Sequence, residues 1–267
     1  MVNILKANGE IEPFNEDKIR ESIKRAGIPL QIQAKVLSHV KSKLYENIPS
    51  QEVYGHIDEF LGRKFHLGEI KYRLKSALME LGPTGYPFED LVAAILASKG
   101  YSVQTRSILA GTCVSHEIDV IAQKNDEKML IEAKFHNAPG IHTDLHVSLY
   151  TKARLEDLRD KYQFSNAWIF TNTKITPDAL TYALCVGMKV TGWNYPQNEG
   201  VRDLVEQNKL YPITMLSSLS QSQKQILLEN HIVLLSEILK NEASLDVLGI
   251  QTDKKKAIIA DAKQILS

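Results

Sequence analysis

The side chains best suited to chemistry in this sequence fall in two short runs. The first is His116-Glu117-Ile118-Asp119-Val120-Ile121-Ala122, and the second is Met129-Leu130-Ile131-Glu132-Ala133-Lys134-Phe135. If Asn125-Asp126 turns a hairpin between them, Asp119 falls directly opposite Glu132, where Cβ atoms stand about 4.5–5.5 Å apart. Strand alternation places Glu132 and Lys134 on one face, with Ile131 and Ala133 on the other. Opposed carboxylates repel, so the arrangement asks for positive charge between them, either Lys134 or a hard cation. Mg²⁺ suits the second role, because it takes one or two protein carboxylates together with phosphate oxygens and water.

A further acid is available in Phe88-Glu89-Asp90-Leu91. Leu91, Val92, Ile95 and Leu96 make the apolar stripe of a helix, and Glu89 borders that stripe while Asp90 faces solvent. Two readings of Glu89 stand side by side: a third acid of the site, or an acid favoured at any helix N-terminus. For Asp119, Glu132 and Lys134 the bland alternative is a surface hairpin carrying a cross-strand salt bridge of little consequence.

The elements that must position these residues follow from Gly and Pro punctuation. Breaks at Leu81-Gly82-Pro83-Thr84-Gly85-Tyr86-Pro87 and at Trp193-Asn194-Tyr195-Pro196-Gln197-Asn198-Glu199-Gly200 divide the chain into residues 1–82, 83–200 and 201–267. The first part reads as a hairpin, Val2–Lys6 with Glu10–Phe14 and Asn8-Gly9 near its tip. A helix follows, capped by Asn15, with Glu16 and Asp17 in its first turn, Ile19, Ile23 and Ala26 along a face, and Gly27 and Pro29 beyond its end. More helices are predicted over Leu30–Tyr45, Ser50–Leu61 and Leu67–Leu81, the last with Ile70, Leu74, Leu78 and Leu81 on one face. The middle part alternates a helix Phe88–Lys99, strands near Tyr101–Ile108, Glu117–Gln123 and Lys128–Phe135, a helix near Thr143–Lys161, and a strand Ala167–Thr171. A helix capped by Thr176-Pro177 and a strand Met188–Trp193 complete an α/β pattern.

At 267 residues the chain predicts about two domains, at roughly 150 residues each. Its 43% hydrophobic and 24% charged residues exclude a disordered or fibrous chain. Lys+Arg and Asp+Glu both number 32, so the basic footprint of a nucleic-acid binder is missing and any such binding must be local. Cys113 and Cys185 cannot build a disulfide framework and read as free thiols. With no apolar leader or spanning stretch, the expectation is a soluble cytoplasmic protein without a membrane partner.

Residues 87–193 resemble the PD-(D/E)xK nuclease superfamily in its Mrr-like restriction endonuclease branch: a helix with an early Glu, an Asp after a strand, then Glu-x-Lys in the next. Thr171-Asn172-Thr173-Lys174-Ile175-Thr176, with Ala179, Tyr182 and Ala183, is similar to the strand-loop-helix that follows there. Residues 3–81 resemble the ATP-cone through Leu5-Lys6-Ala7-Asn8-Gly9, Glu12-Pro13-Phe14-Asn15 and Lys18-Ile19. The resemblance implies a restriction-endonuclease-like mixed sheet flanked by helices, preceded by a small, mostly helical ATP-cone and followed by a helical tail. It implies that Asp119 and Glu132 bind Mg²⁺ or Mn²⁺, that Glu89 supports the metal directly or through water, and that Lys134 orients or deprotonates the attacking water. DNA would be the substrate and ATP or dATP the regulatory ligand, contacted by Lys6, Glu12, Lys18 and Ser50. A homodimer would supply the two sites that cutting both strands requires. Two departures are visible: Ile118 replaces the proline of the superfamily's name, and Ala7 stands where the ATP-cone has a basic residue. The competing function is a nucleotide-responsive DNA-binding protein with a retired nuclease fold, against which the intact acid-acid-lysine set speaks.

Other groups have blander readings. His136, His142 and His146 invite zinc, with His142 and His146 four apart on an expected helix and Asp144 close, but the Glu and third ligand of metalloprotease motifs are missing. His136 or His142 facing a phosphate backbone is preferred. Cys113-x-x-His116 lacks a second ligand pair. Lys152, Arg154 and Arg159, interleaved with Glu156, Asp157 and Asp160, read either as phosphate contacts or, the commoner explanation, as a solvated face. Leu245–Ser267 reads as a packing tail, faintly similar around Leu248-Gly249-Ile250 to a helix-hairpin-helix, whose turn amides hold a phosphate.

Overall fold

In the computed structural model the chain is described over residues 2–6, 9–25, 28, 30–61, 74–138 and 140–267. The expectations for Ala7, Asn8, Ala26, Gly27, Pro29 and the first half of the Leu67–Leu81 helix, Ile70 included, lie outside these residues. Contacts divide the chain into two units, 1–76 and 77–267.

In the first unit, β1 (Asn3–Leu5) pairs antiparallel with β2 (Ile11–Pro13) and parallel with β3 (Ile48–Pro49). Asn15 caps α1 (Glu16–Arg25): its Oδ1 accepts from the backbone N–H of Asp17 at 2.9 Å and of Lys18 at 3.2 Å. Two further helices, α2 (Leu30–Lys43) and α3 (Ser50–Leu61), complete the described part of this unit. Ile4, Ile19, Ile23, Val36, Ile48 and Ile57 are buried together, as their spacing of two in strands and three or four in helices requires. A short helix, α4 (Leu74–Met79), follows, and Leu74, Leu78 and Leu81 are buried as expected.

The second unit holds α5 (Tyr86–Ser98), β4 (Ser102–Ala110), β5 (Ser115–Lys124), β6 (Glu127–Lys134), β7 (His142–Thr143), α6 (Leu145–Tyr162), β8 (Asn166–Thr171), β9 (Lys174–Ile175), α7 (Pro177–Cys185) and β10 (Lys189–Thr191). Its main sheet runs β10-β8-β6-β5-β4. Strands β4, β5 and β6 form an antiparallel meander, and the β5–β6 turn places Asn125 at φ +53°, as a two-residue hairpin turn requires. Helix α6 then crosses over, so β8 and β10 run parallel to β6. The sheet is therefore mixed and flanked by helices, as the resemblance implies. Leu155 and Leu158 of α6 pack with Leu130 and Ile169, while Phe88 of α5 meets Phe135 at 5.9 Å between ring centroids.

The tail comprises α8 (Val201–Gln207), α9 (Gln221–Glu229), α10 (Leu235–Lys240) and α11 (Thr252–Leu266). It packs within the same unit as the sheet: Thr214 Oγ1 donates to the Ala77 carbonyl at 2.7 Å, and Lys224 pairs with Glu80 at 2.8 Å. The break at Gly200 thus separates elements inside one contact unit. Among the described residues no helix is long and apolar enough to cross a membrane.

Asp157 of α6 ties down the β4–β5 turn. Its carboxylate accepts from the backbone N–H of Cys113 at 2.7 Å and Val114 at 3.3 Å, and meets His116 Nε2 at 2.8 Å. The His116 hydrogen bond is the main reason its carboxyl is held down at about 2. His116 is therefore occupied, which corrects the reading of Asp157 as one charge on a solvated face. Only glycine fits beside this anchor, because a Cβ on Gly111 would lie 2.0 Å from Asp157 Oδ2 and 2.6 Å from the Val114 carbonyl oxygen. We expect Gly111→Ala to lower stability by about 1–3 kcal/mol, measured by urea denaturation; a variant as stable as wild type would show that the turn is not anchored there.

Candidate active site

The observed β5–β6 register pairs Lys124 with Glu127 and continues to Val120 opposite Ile131. One step further along the same register, Asp119 comes opposite Glu132, as the sequence predicts. There the backbone ladder stops, and Asp119 Oδ2 accepts from the Ala133 N–H at 2.7 Å. On the other side, β4 and β5 pair at Thr105–Val120 and Ser107–Ile118 but not at Arg106–Asp119, where Arg106 takes φ +49°. A non-glycine residue with positive φ in mid-strand is uncommon and signals a local constraint. Asp119 thus sits where both neighbouring strands release their pairing.

Glu89 is brought in from the first turn of α5 and is buried. Arg106 bridges it at 3.4 Å and Asp90 at 2.8 Å. Asp90 is also 3.2 Å from His231, so it is part of an ion-pair cluster, which corrects its assignment to solvent. Glu132 Oε2 accepts from Arg154 of α6, which is only 4% exposed. This corrects the solvated reading of Arg154. Lys152 does pair outward with Glu156 at 3.3 Å, and Arg159 donates to the Ser165 carbonyl at 3.1 Å. Lys134 has no hydrogen bond or ion pair among the described residues, and its charge acts on Asp119 and Glu132 through space.

The electrostatics show how tightly these acids crowd. Burial pushes Glu132 up to about 7, and the charge of Asp119 adds to it, while Arg154 and Lys134 oppose the rise. Burial, followed by the charge of Asp119, also pushes Glu89 up to about 7. Asp119 itself is raised by burial, against the Ala133 N–H and Arg154. Loss of hydration and mutual repulsion are both penalties that a bound cation reverses. Asp119 Oδ1 and Glu132 Oε1 accept no hydrogen bond from the described residues. Among those residues no three His, Cys, Asp or Glu side chains gather into a metal cluster. The donor set therefore fits an ion held by two carboxylates that retains water, the habit of Mg²⁺, with Glu89 reaching it at most through water.

Beyond Lys134 the chain is held by a buried polar network. Asn172 bonds both backbone groups of His136, at 2.9 and 2.7 Å, and His136 Nε2 meets Thr143 Oγ1 at 3.1 Å, which donates to Thr171 at 2.8 Å. Thr171 lies beside Lys134 in the β6–β8 register. His136 is a clamp on this loop through its backbone and Nε2. The expected helical pairing of His142 with His146 also fails: α6 starts at Leu145, capped by Asp144, so His142 belongs to β7 and His146 stands 91% exposed in side chain.

Sequence reasoning missed Arg106 and Arg154. Both left a signal. Thr151, Arg154, Leu155 and Leu158 fall at i, i+3, i+4 and i+7, the spacing of a buried helical stripe, and Arg106 falls opposite Asp119 once β4 is folded back on β5.

In the first unit, Lys6 Nζ lies 2.7 Å and Lys18 Nζ 3.1 Å from Glu12 Oε1. Lys6 is the main cause of the lowered Glu12 carboxyl. Leu5 pairs with Pro49 in the parallel ladder, and Ser50 opens α3 directly after it. Lys6, Glu12 and Lys18 are neighbours, and an open depression is lined by Glu12, Phe14, Asn15 and Lys18 among others.

Comparison with known proteins finds three family matches. Residues 2–57 match the ATP cone domain, residues 82–194 the restriction endonuclease family with an Mrr-type catalytic domain, and residues 211–266 the AF1548-like C-terminal domain. An uncharacterized protein of Archaeoglobus fulgidus is 38% identical over 175 residues, which is 66% of this chain and 99% of the relative. A crystal structure of a protein of unknown function, AF1548, is similar with a TM-score of 0.61 and 38% identity, covering 68% of this chain and 98% of the other.

The raised Glu132 carboxyl has a measurable consequence. Between its ordinary 4.5 and about 7 the folded protein holds a proton that the unfolded chain has lost, so this contribution to stability falls as pH rises through that window. Metal-free wild type should lose stability relative to Glu132→Gln across it, and Mg²⁺ should restore most at the upper end. Urea denaturation over the range checks this; a difference that does not change with pH would mean that Glu132 ionises freely.

Proposed function

Because the chain belongs to the Mrr-type restriction endonuclease family and carries an ATP cone ahead of that domain, we propose that it is a metal-dependent DNA endonuclease regulated by a nucleotide. The observation that carries the reading is the convergence of Asp119, Glu132 and Lys134 where the β5–β6 ladder opens. Asp119 and Glu132 would hold Mg²⁺ or Mn²⁺. Such an ion, when bound, polarises a phosphodiester and acidifies water beside it. Lys134, whose ammonium has no hydrogen bond or ion pair among the described residues, would donate to the attacking water or to the phosphoryl oxygens and stabilise the charge that develops as the backbone is attacked in line. Arg154 holds one oxygen of Glu132 and leaves the other for the ion. Arg106 does the same for Glu89, whose carboxyl, if protonated, is a donor within the site.

In the ATP cone, Lys6 and Lys18 would bind the phosphates of ATP or dATP, with Glu12 and Ser50 fixing their orientation. Regulation requires only that the nucleotide favour one arrangement of the chain over another. A homodimer would bring two sites to a duplex. A second reading, a DNA-binding protein with a retired nuclease fold, draws support from Arg154, whose guanidinium already neutralises Glu132. Metal titration separates the two, since a retired site takes up neither Mg²⁺ nor Mn²⁺.

Glu132→Ala and Lys134→Ala are each expected to cut plasmid nicking by at least about a hundredfold while keeping the wild-type circular dichroism spectrum. Unchanged nicking by either would reject the site. Lys18→Ala should weaken ATP binding about tenfold or more, read by calorimetry, and leave nucleotide-free nicking unchanged; equal ATP affinity would remove Lys18 from the nucleotide site.

A further inference from the structure

Two exposed tyrosines flank the site in matching fashion. Tyr86, in the first turn of α5, is 49% exposed and covers Arg106, whose Cζ lies 5.8 Å from the ring centroid. Tyr150, on α6, is 58% exposed and covers Arg154 at 5.1 Å. Each arginine is ion-paired to a carboxylate of the site, Arg106 to Glu89 and Arg154 to Glu132. Each ring is therefore one side chain away from the acids, Tyr86 on α5 and Tyr150 on α6. Neither hydroxyl makes a hydrogen bond among the described residues.

We propose that Tyr86 and Tyr150 are stacking platforms for unpaired bases, and that the substrate is DNA presenting a single strand. This rests on the nuclease reading and names its substrate class. An aromatic ring stacks on any base, but only where the base face is open, as in single strands and not in continuous duplex. Each ring has one face on a guanidinium that a carboxylate holds in place, so the outer face is offered in a fixed orientation, with positive charge beneath it for the adjoining phosphates. Charge points the same way. A protein that grips duplex through its phosphates needs a basic surface, and this chain has 32 basic against 32 acidic residues. Stacking supplies affinity without net charge.

The test uses the full-length protein with Ca²⁺ in place of Mg²⁺, and a mixed-sequence oligonucleotide, its duplex, and a duplex with a single-stranded arm. Binding is read by fluorescence anisotropy and stacking by quenching of 2-aminopurine. The single strand and the armed duplex should bind more tightly than the plain duplex. Tyr86→Ala and Tyr150→Ala should each weaken them roughly tenfold and relieve the quenching, while Tyr86→Phe and Tyr150→Phe bind as wild type. Tighter binding of plain duplex, or alanine variants that bind the single strand as wild type does, would overturn the proposal. Cleavage in Mg²⁺ keeps the two readings apart. Duplex cut normally by both alanine variants sinks the stacking role and leaves the nuclease standing; tyrosine-dependent binding without cleavage of any DNA sinks the nuclease and leaves the platforms standing.

Discussion

Three carboxylates, Glu89, Asp119 and Glu132, are held close together and largely out of water, and the surrounding structure is arranged around that cost. Burial alone pushes each toward its neutral form, and Asp119 raises both of the others further. The buried Arg154, the half-buried Arg106 and Lys134 offset the repulsion without abolishing it. Each arginine takes a separate acid, and Asp119 is satisfied instead by a backbone N–H that the strand ladder gives up. A fold built for stability alone would have filled these positions with apolar side chains at less expense. Retaining the acids makes sense where a cation or a polyanion completes the charge balance.

The same constraint accounts for local irregularities. The β4–β5 pairing is broken only at Arg106 and Asp119, and the β5–β6 pairing ends at Val120–Ile131, so the departures from ideal pairing coincide with the charged residues. Beyond Lys134, where the chain leaves the sheet, the Asn172–His136–Thr143–Thr171 network holds the exit. At the same end of the sheet, Asp157 and Gly111 fix the β4–β5 turn. The site thus lies beside a sheet end held by two clamps, which suits chemistry that depends on placing groups to within a fraction of an ångström.

A net charge of zero, taken over the whole chain, counts against nucleic acid. Around the site it has a different meaning, because acids are concentrated at the centre and their counter-charges are immobilised beside them. Positive potential there depends on a bound cation, which no sequence count includes, and on guanidinium groups whose charge is shared with carboxylates. Such a surface favours recognition through ring faces and local contacts over a broad electrostatic grip.

Amino-acid sequence alone determined the order of elements, the hairpin register that opposes Asp119 and Glu132, the Asn15 and Thr176 caps, and the resemblance to an ATP-cone joined to an Mrr-like nuclease. Each of these is local: alternation, capping and turn chemistry act within a few residues, so they are written in consecutive letters. Only tertiary structure decided which cations meet which acids. Arg154 reaches Glu132 across 22 positions and Arg106 reaches Glu89 across 17; helical spacing marks Arg154 as part of a buried stripe, but nothing in the sequence names the acid that each arginine meets. Asp157 was misjudged for the same reason, since its partners come from the β4–β5 turn. Burial is what turns these pairings from incidental into decisive, and burial is a property of the packed chain rather than of any segment of it.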